Sequence, residues 1–212
     1  MNQNYAPQGG GIYLSNNGYY LRPAFTLNNT IVDGNAAMDG AGLWLSGPAE
    51  IYYSSVVNNT AAGKGGGLFL SISDLCLSNV TIGGNVAAVG GGIYNSKFTS
   101  VQQKKSLFNN VTISRNKGAT SGGIVSEVDA WPITLYNSIL VGNLGSTVDC
   151  YGTFISNGFN LIGNTGSTSA PRCKSDWSST DLPGTDLAKI GVKTVLVPTL
   201  VQDSTSGQWY YP

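Results

Sequence analysis

Aliphatic residues alternate with other residues in short runs along much of the chain. The segments Ile12–Leu14 and Leu68–Leu70 both have this pattern. Because successive side chains of a β-strand point to opposite faces, the alternation predicts short strands with one buried face. The spacing of three or four residues that an amphipathic helix needs is absent from this region. The pattern therefore predicts an all-β fold.

The same pattern returns at a regular interval. One glycine precedes each aliphatic run, and these five marker glycines are separated by 31, 25, 25 and 31 residues. The markers are Gly11, Gly42, Gly67, Gly92 and Gly123. A unit of this length has room for short strands but not for a crossover helix, so it fits one coil of a solenoid. We predict a right-handed parallel β-helix of about five coils over residues 1–145, since parallel crossovers are usually right-handed.

An asparagine-rich block accompanies the markers, and each of the first four blocks begins 13 residues before one. The blocks begin at Asn29, Ser54, Asn79, Asn110 and Asn137. The first asparagine of each block predicts a polar ladder at a bend, with each amide bonded to the next coil. The second asparagine, as at Asn59, suits a left-handed turn. An aliphatic ladder in the core is predicted from Val32, Val57, Ile82, Ile113 and Leu140.

The middle position of the aliphatic runs is aromatic in four repeats. It is occupied by Tyr13, Trp44, Phe69 and Tyr94, and by Val125 in the fifth repeat. Because both neighbours point inward, these rings should face outward and form an exposed strip roughly 14 Å long. One interpretation is stacking beneath a loop or beneath two insertions, Ser15–Phe25 and Asn95–Ser106. The other is a binding strip for a sugar chain or another protein.

Composition narrows the partners. Only 10% of the residues are charged, the 11 basic and 11 acidic residues balance, and histidine is absent. The chain has no basic footprint for nucleic acid, and no apolar run of the roughly 20 residues that span a membrane. The start lacks a signal sequence. Nothing in the pattern indicates an oligomeric state.

The three cysteines have different surroundings. Cys76 lies in an alternating run and is predicted to be a small buried hydrophobe. Cys150 and Cys173 flank a segment rich in Gly, Ser and Thr, where a disulfide would restrain a poorly packed stretch by roughly 3 kcal/mol. We predict that bond, an oxidising extracytoplasmic location, and an irregular cap over residues 146–212 on the last coil.

The repeat units GGGI and N-x-T-I-x-x-N resemble the GGA[IL] and FxxN repeats of chlamydial polymorphic outer membrane proteins. The segment Asn137–Asp186, with DCYG and NGFNLIGN, is similar to the closing segment of bacterial right-handed β-helix proteins of the choice-of-anchor Q type. The resemblance implies a parallel β-helix in a secreted or cell-surface protein, and it implies no defined reaction. The family's paired cysteines fall on Cys150 and Cys173. The family's closing turn and anchor are missing after Tyr211, so the chain is expected to be a piece of a longer polypeptide.

Residues suited to catalysis are sparse. Without histidine there is no Ser-His-Asp arrangement, and no carboxylate pair occupies one ladder position in nearby coils, as glycoside hydrolysis would need. Asp39 and Lys64 are predicted to form a surface ion pair. No cofactor is predicted, and the one metal candidate is a weak Ca²⁺ site at Glu127 and Asp129, which fall short of the roughly 6 to 8 oxygen ligands that calcium takes.

The sequence therefore predicts an extracellular structural, adhesin-like domain that binds a polysaccharide or a surface protein through the aromatic strip. The alternative is a carbohydrate-active enzyme, either a polysaccharide lyase or a glycoside hydrolase, because β-helices often host such activities. Ice binding through a flat Thr and Asn face fits less well, since the outward positions of the blocks are too mixed.

Overall fold

The chain folds almost entirely into short β-strands. The computed structural model describes residues 1–15, 25–72, 74–97, 106–146, 148–167, 170–171, 173–184, 201–202 and 209–210. These residues form no helix, and among them nothing could cross a membrane as a long apolar helix. The two predicted insertions and most of the predicted cap beyond Gly184 lie outside the described residues.

The strands are short, most of them two to five residues long. In chain order they are β1 Tyr5–Gln8, β2 Ile12–Ser15, β3 Phe25–Asn28, β4 Ile31–Asp33, β5 Ala36–Asp39, β6 Leu43–Ser46, β7 Ala49–Tyr52, β8 Ser55–Val57, β9 Thr60–Ala61, β10 Leu68–Ile72, β11 Leu75–Gly83, β12 Val86–Ala87, β13 Ile93–Asn95, β14 Ser106–Ser114, β15 Lys117–Gly118, β16 Ser121–Ser126, β17 Ile133–Tyr136, β18 Ile139–Val141, β19 Val148–Ser156, β20 Leu161–Ile162, β21 Gly166–Ser167, β22 Ala170–Pro171, β23 Cys173–Lys174, β24 Val201–Gln202 and β25 Trp209–Tyr210.

Equivalent strands of successive repeats lie side by side and run parallel. One sheet has the order β1-β5-β9-β12-β15. The larger sheet follows the order β2-β6-β10-β13-β16-β19-β17-β14-β11-β7-β3, and the long strand β19 joins its two arms. Among the described strands only β21 with β22 and β24 with β25 pair antiparallel. The prediction of an all-β fold with mostly parallel strands is confirmed.

Aliphatic side chains from these strands stack into ladders inside the molecule. The position after the marker glycine pairs in register through Ile12, Leu43, Leu68, Ile93 and Ile124, as predicted. The last four of these side chains are fully buried. Cys150 takes the next place in the same ladder.

The second aliphatic ladder differs from the prediction in one repeat. Val32 and Ile82 both pair with Val56, which is fully buried, whereas Val57 is partly exposed. The predicted assignment of Val57 to the core is therefore wrong by one residue. The cause is an extra residue further along this repeat, between Ala61 and Lys64, which shifts the spacing from the block to the marker glycine.

The two asparagines of each block have the opposite roles to those predicted. The second asparagine is buried and stacks, with each side-chain amide donating to the side-chain oxygen of the next repeat at 2.9–3.0 Å. This ladder consists of Asn4, Asn35, Asn59, Asn85, Asn116 and Asn143, and it ends on Asp149. We call it the amide ladder.

The first asparagine of each block instead occupies the turn. Asn29, Asn79, Asn110 and Asn137 all have left-handed backbone, with φ between 47° and 56°. Tyr53, not Ser54, holds the equivalent place in the second repeat, with φ of 47°. A left-handed residue at a corner points its side chain toward solvent, which leaves the interior to the second asparagine. Only the amide of Asn110 bonds to its neighbour Asn79 as the prediction required.

The marker glycines bring neighbouring repeats close together. A Cβ atom on Gly42 would lie 2.5 Å from the carbonyl oxygen of Gly67 and 3.1 Å from Nδ2 of Asn59. Any side chain at this position would therefore separate the repeats and break the amide ladder. This is the physical reason for glycine at the marker.

The chain after residue 145 continues the same pairing. Leu161 and Ile162 pair in parallel with Ile139 and Leu140, so regular stacking extends past the predicted start of the cap. Cys150 and Cys173 form the predicted disulfide, with a Cα–Cα distance of 5.1 Å. The bond indicates an oxidising environment.

Candidate functional site

An aromatic row runs along the larger sheet. Tyr13 pairs in register with Trp44, Trp44 with Phe69, and Phe69 with Tyr94. Their ring centroids are 4.7, 5.8 and 5.3 Å apart. We call these four residues the aromatic row. The row arises because the aliphatic neighbours of each ring point into the core, so the ring must point away from it.

Exposure falls from one end of the row to the other. The side chain of Tyr13 is 50% exposed, Trp44 and Phe69 are half-buried, and Tyr94 is only 2% exposed. The prediction that Tyr94 forms part of an exposed strip is therefore wrong. Its ring does stack on the outer side of the sheet, but charged side chains from two other repeats cover it.

The rings of the row cover one another's faces. Their planes are inclined by only 22°, 8° and 26° in succession. Sugar rings pack on the flat faces of aromatic side chains, whereas this arrangement presents mainly ring edges to solvent. Within the row, the face of Tyr13 that points away from Trp44 is the one that no described ring covers. The row therefore differs from the series of open platforms that the sequence suggested.

A hydrogen-bonded cluster covers Tyr94. Lys64 Nζ donates to the Tyr94 hydroxyl at 2.7 Å, and that hydroxyl donates to Oε1 of Glu127. The ammonium group lies 3.7 Å from the same carboxylate oxygen, and the backbone amide of Lys97 donates to Oε2 at 2.8 Å. Each polar atom of the cluster thus has a partner. The cluster holds the Glu127 side chain in one position over the row.

The same contacts explain the protonation states in the cluster. Burial, followed by the hydrogen bond to Glu127, raises the pKa of the Tyr94 phenol well above its ordinary value, so it stays protonated. Burial works against ionisation of Glu127, but hydrogen bonds from Lys97 and Tyr94 and the charge of Lys64 outweigh it and lower the pKa. At neutral pH the cluster holds an ionised carboxylate, a neutral phenol and an ammonium group.

A cleft opens where the aromatic row is interrupted. Tyr94 pairs with Val125, and Val125 pairs with Tyr151, so the small valine lies between two tyrosine positions. The cleft above it has a volume of about 550 Å³. We call it the Val125 cleft, and its lining includes Lys64, Tyr94, Lys97, Val125, Glu127, Asp129 and Tyr151. A second hollow of about 420 Å³ adjoins it and shares Glu127, Asp129 and Tyr151.

Two of the charged candidates have other roles than predicted. The Asp39 carboxylate accepts the backbone N–H of Lys64 at 2.7 Å, whereas the Lys64 ammonium group pairs with Glu127, so the predicted Asp39–Lys64 ion pair is wrong. Glu127 follows the end of β16 and Asp129 lies in a turn with φ of 66°, so they do not alternate on one strand face. Because both Glu127 oxygens already accept hydrogen bonds beside an ammonium group, Glu127 is a poor Ca²⁺ ligand. No group of three acidic, histidine or cysteine side chains converges in the part of the chain that the structure describes.

Sequence reasoning missed Tyr151 and the cluster around Glu127. Tyr151 follows Cys150 as Tyr94 follows Ile93, so extending the marker ladder by one repeat would have found it. Glu127 and Lys64 carry no comparable signal, because they lie in segments whose length varies between repeats. Cys76 was also misplaced, since its side chain is half-buried on the outer face between Leu75 and Leu77.

No family model, curated protein or solved structure matches the chain.

Proposed function

We propose that the chain is a right-handed parallel β-helix of about five coils with a disulfide-tied C-terminal cap. In this proposal it is a structural, adhesin-like domain of a secreted or cell-surface protein. The repeat of 25 to 31 residues between markers, the in-register aliphatic ladders and the amide ladder support the fold. The disulfide between Cys150 and Cys173 supports an extracellular location.

The domain binds its partner, a polysaccharide or a surface protein, at the face that carries the aromatic row. The observation behind this proposal is the unusual concentration of aromatic side chains on one outer face, which ends in a cleft lined by charged groups. Outward aromatic residues without a cover tend to mark contact surfaces. Among them, Tyr13 is half exposed and has one ring face that no described ring covers.

Removing the exposed end of the row tests this proposal. We expect Tyr13→Ser combined with Trp44→Ala to weaken binding to glycan arrays and to cells about tenfold or more, because both rings contribute contact area. The matched control is Tyr5→Ser, which removes a tyrosine that is 83% exposed on the other sheet. Thermal unfolding of each variant separates lost binding from lost folding. Unchanged binding in the double variant, with only its stability reduced, would show that the row is purely structural.

The second candidate is a carbohydrate-active enzyme, and the Val125 cleft favours it. This cleft holds an ionised carboxylate, Glu127, hydrogen-bonded to a tyrosine and close to the Lys64 ammonium group. Incubation with uronic-acid polysaccharides and neutral polysaccharides, with and without Ca²⁺, tests it through the absorbance of unsaturated products and through new reducing ends. Turnover that Glu127→Gln abolishes would establish the enzyme, and binding without turnover would favour the adhesin-like domain.

A further inference from the structure

Tyr151 differs from the rings of the aromatic row in its neighbours. Trp44 and Phe69 each lie between two other rings, and Tyr94 stacks on Phe69. Tyr151 instead pairs with Val125, and among the described residues no ring stacks on it. Its side chain is 36% exposed. Tyr151 thus combines an accessible ring with a position on the wall of the cleft.

The missing ring at Val125 leaves space of a defined size. Tyr94 and Tyr151 are two strands apart, so their positions are separated by roughly 9.6 Å. A ring inserted between two surfaces needs roughly 3.5–4 Å to the atoms on either side. The gap therefore has room for one ring, with Val125 as its floor.

The wall opposite Tyr151 is polar and fixed in position. It carries the Glu127 carboxylate, which Tyr94 and Lys97 hold by hydrogen bonds, beside the Lys64 ammonium group. Fixed acceptors and donors facing an aromatic side chain are what a sugar needs, because its hydroxyls hydrogen-bond and its C–H face packs on a ring. An aromatic side chain of a protein partner would leave these charged groups without compensation when it displaced their water.

We propose that the Val125 cleft binds one pyranose ring of a glycan, with Tyr151 packed against the sugar and Glu127 and Lys64 hydrogen-bonded to its hydroxyls. The cleft lining contains two lysines, Lys64 and Lys97, and two carboxylates, Glu127 and Asp129. This balance favours a neutral hexose over a polyanionic glycan, because a neutral ring disturbs neither set. The inference rests on the proposed glycan-binding function and gives it a ligand class and a place.

Filling the gap is the decisive test. Val125→Phe supplies the ring that other repeats carry at this position, so it should complete the row, keep or raise the melting temperature and abolish binding. Tyr151→Ser should weaken binding about tenfold, because it removes the packing surface without altering the core. Val125→Ala is the control that keeps the cleft open, and it should bind like the unaltered protein. The probes are immobilised gluco-, galacto- and manno-oligosaccharides, with polygalacturonate as the anionic comparison.

The outcomes separate this inference from the broader function. If Val125→Phe folds and binds as the unaltered protein does, or if Tyr151→Ser is without effect, the cleft proposal is overturned. If the Tyr13 and Trp44 double variant alone loses binding, the aromatic row remains the binding surface without the cleft. Preference for polygalacturonate over every neutral probe, or no binding to any saccharide at millimolar concentration, would also overturn the assignment of a neutral sugar. Should Val125→Phe fail to fold, Tyr151→Ser decides the matter, because Tyr151 lies at the surface.

Discussion

At the scale of single residues, the amide ladder concentrates the largest polar stake in the interior. Asn59 is fully buried, accepts two hydrogen bonds from Asn35, and donates to Asn85 and to the carbonyl of Val32. It also accepts no water, so nothing could replace its amide after truncation. Removing a buried partner costs more than the bond is worth, because the groups left behind lose water and partner alike.

Two adjacent asparagines make a matched experiment. We expect Asn59→Ala to lower the free energy of unfolding by about 3 kcal/mol or more, because several buried groups lose their partner. Its neighbour Asn58 is exposed with φ of 54°, a conformation that glycine adopts without strain, so Asn58→Gly should change stability by no more than about 0.5 kcal/mol. Urea unfolding followed by circular dichroism measures both. Equal losses at the two positions would contradict the assigned roles.

The reversed roles of the two asparagines show what the sequence could indicate at this scale. Both positions recur in each block, so periodicity alone does not separate a ladder from a turn. One repeat does separate them, because Tyr53 stands at the first position while Asn59 keeps the second. A stacked amide cannot be replaced by tyrosine, whereas a turn that faces solvent tolerates it. The one-residue shift at Ser54 hid this signal.

At the scale of strands and ladders, two columns of hydrogen-bonding side chains end on carboxylates. The amide ladder ends on Asp149, and a neighbouring column runs from Ser138 through Asn160 to Asp181. Burial raises the pKa of Asp149 despite hydrogen bonds from Asn164 and Asn143. Burial also opposes ionisation of Asp181, but hydrogen bonds from Ser156, Asn160 and Ser178 outweigh it and lower the pKa. The two termini therefore respond to pH in opposite directions.

The Asp181 terminus predicts a loss of stability in acid. Because its pKa is lower in the folded than in the unfolded chain, its contribution is present above the unfolded value of about 3.9 and is lost as the pH falls through the folded value. We expect Asp181→Asn to lower the free energy of unfolding by about 1–2 kcal/mol at pH 7 and by much less near pH 2. Urea unfolding at several pH values measures the difference, and Asp129→Asn in an exposed turn is the control. A deficit that is constant with pH would contradict the prediction.

The strand scale is also where the sequence was most informative. Alternation located the strands, and the marker glycines set the register of Leu43, Leu68 and Ile93. The burial of Tyr94 could not be foreseen, because it depends on Lys64 and Glu127, which lie 30 and 33 residues away along the chain. Long-range side-chain contacts from segments of variable length leave no periodic signal.

At the scale of the whole molecule, each repeat contacts mainly the repeats on either side. The five marker positions pair only with their neighbours in sequence, so stability should be close to a sum over repeats and their interfaces. Such a molecule should tolerate the removal of one whole unit, provided that the ladders close again in register. A conventional globular core would not.

Deleting Leu68–Gly92 removes one such unit and joins Gly67 to Ile93. Because Leu68 and Ile93 occupy the same ladder position, every ladder closes with an equivalent residue. We expect the shortened chain to fold cooperatively into parallel β structure, with a urea m-value roughly a tenth lower, since m follows the surface exposed on unfolding. The control deletion, Leu68–Asn79, removes half a unit and sets aliphatic side chains against polar positions, so it should not fold. If both deletions unfolded the chain, the interior would be a single core and the proposed solenoid would be wrong; if only the half-unit deletion did, the repeat is the unit of folding.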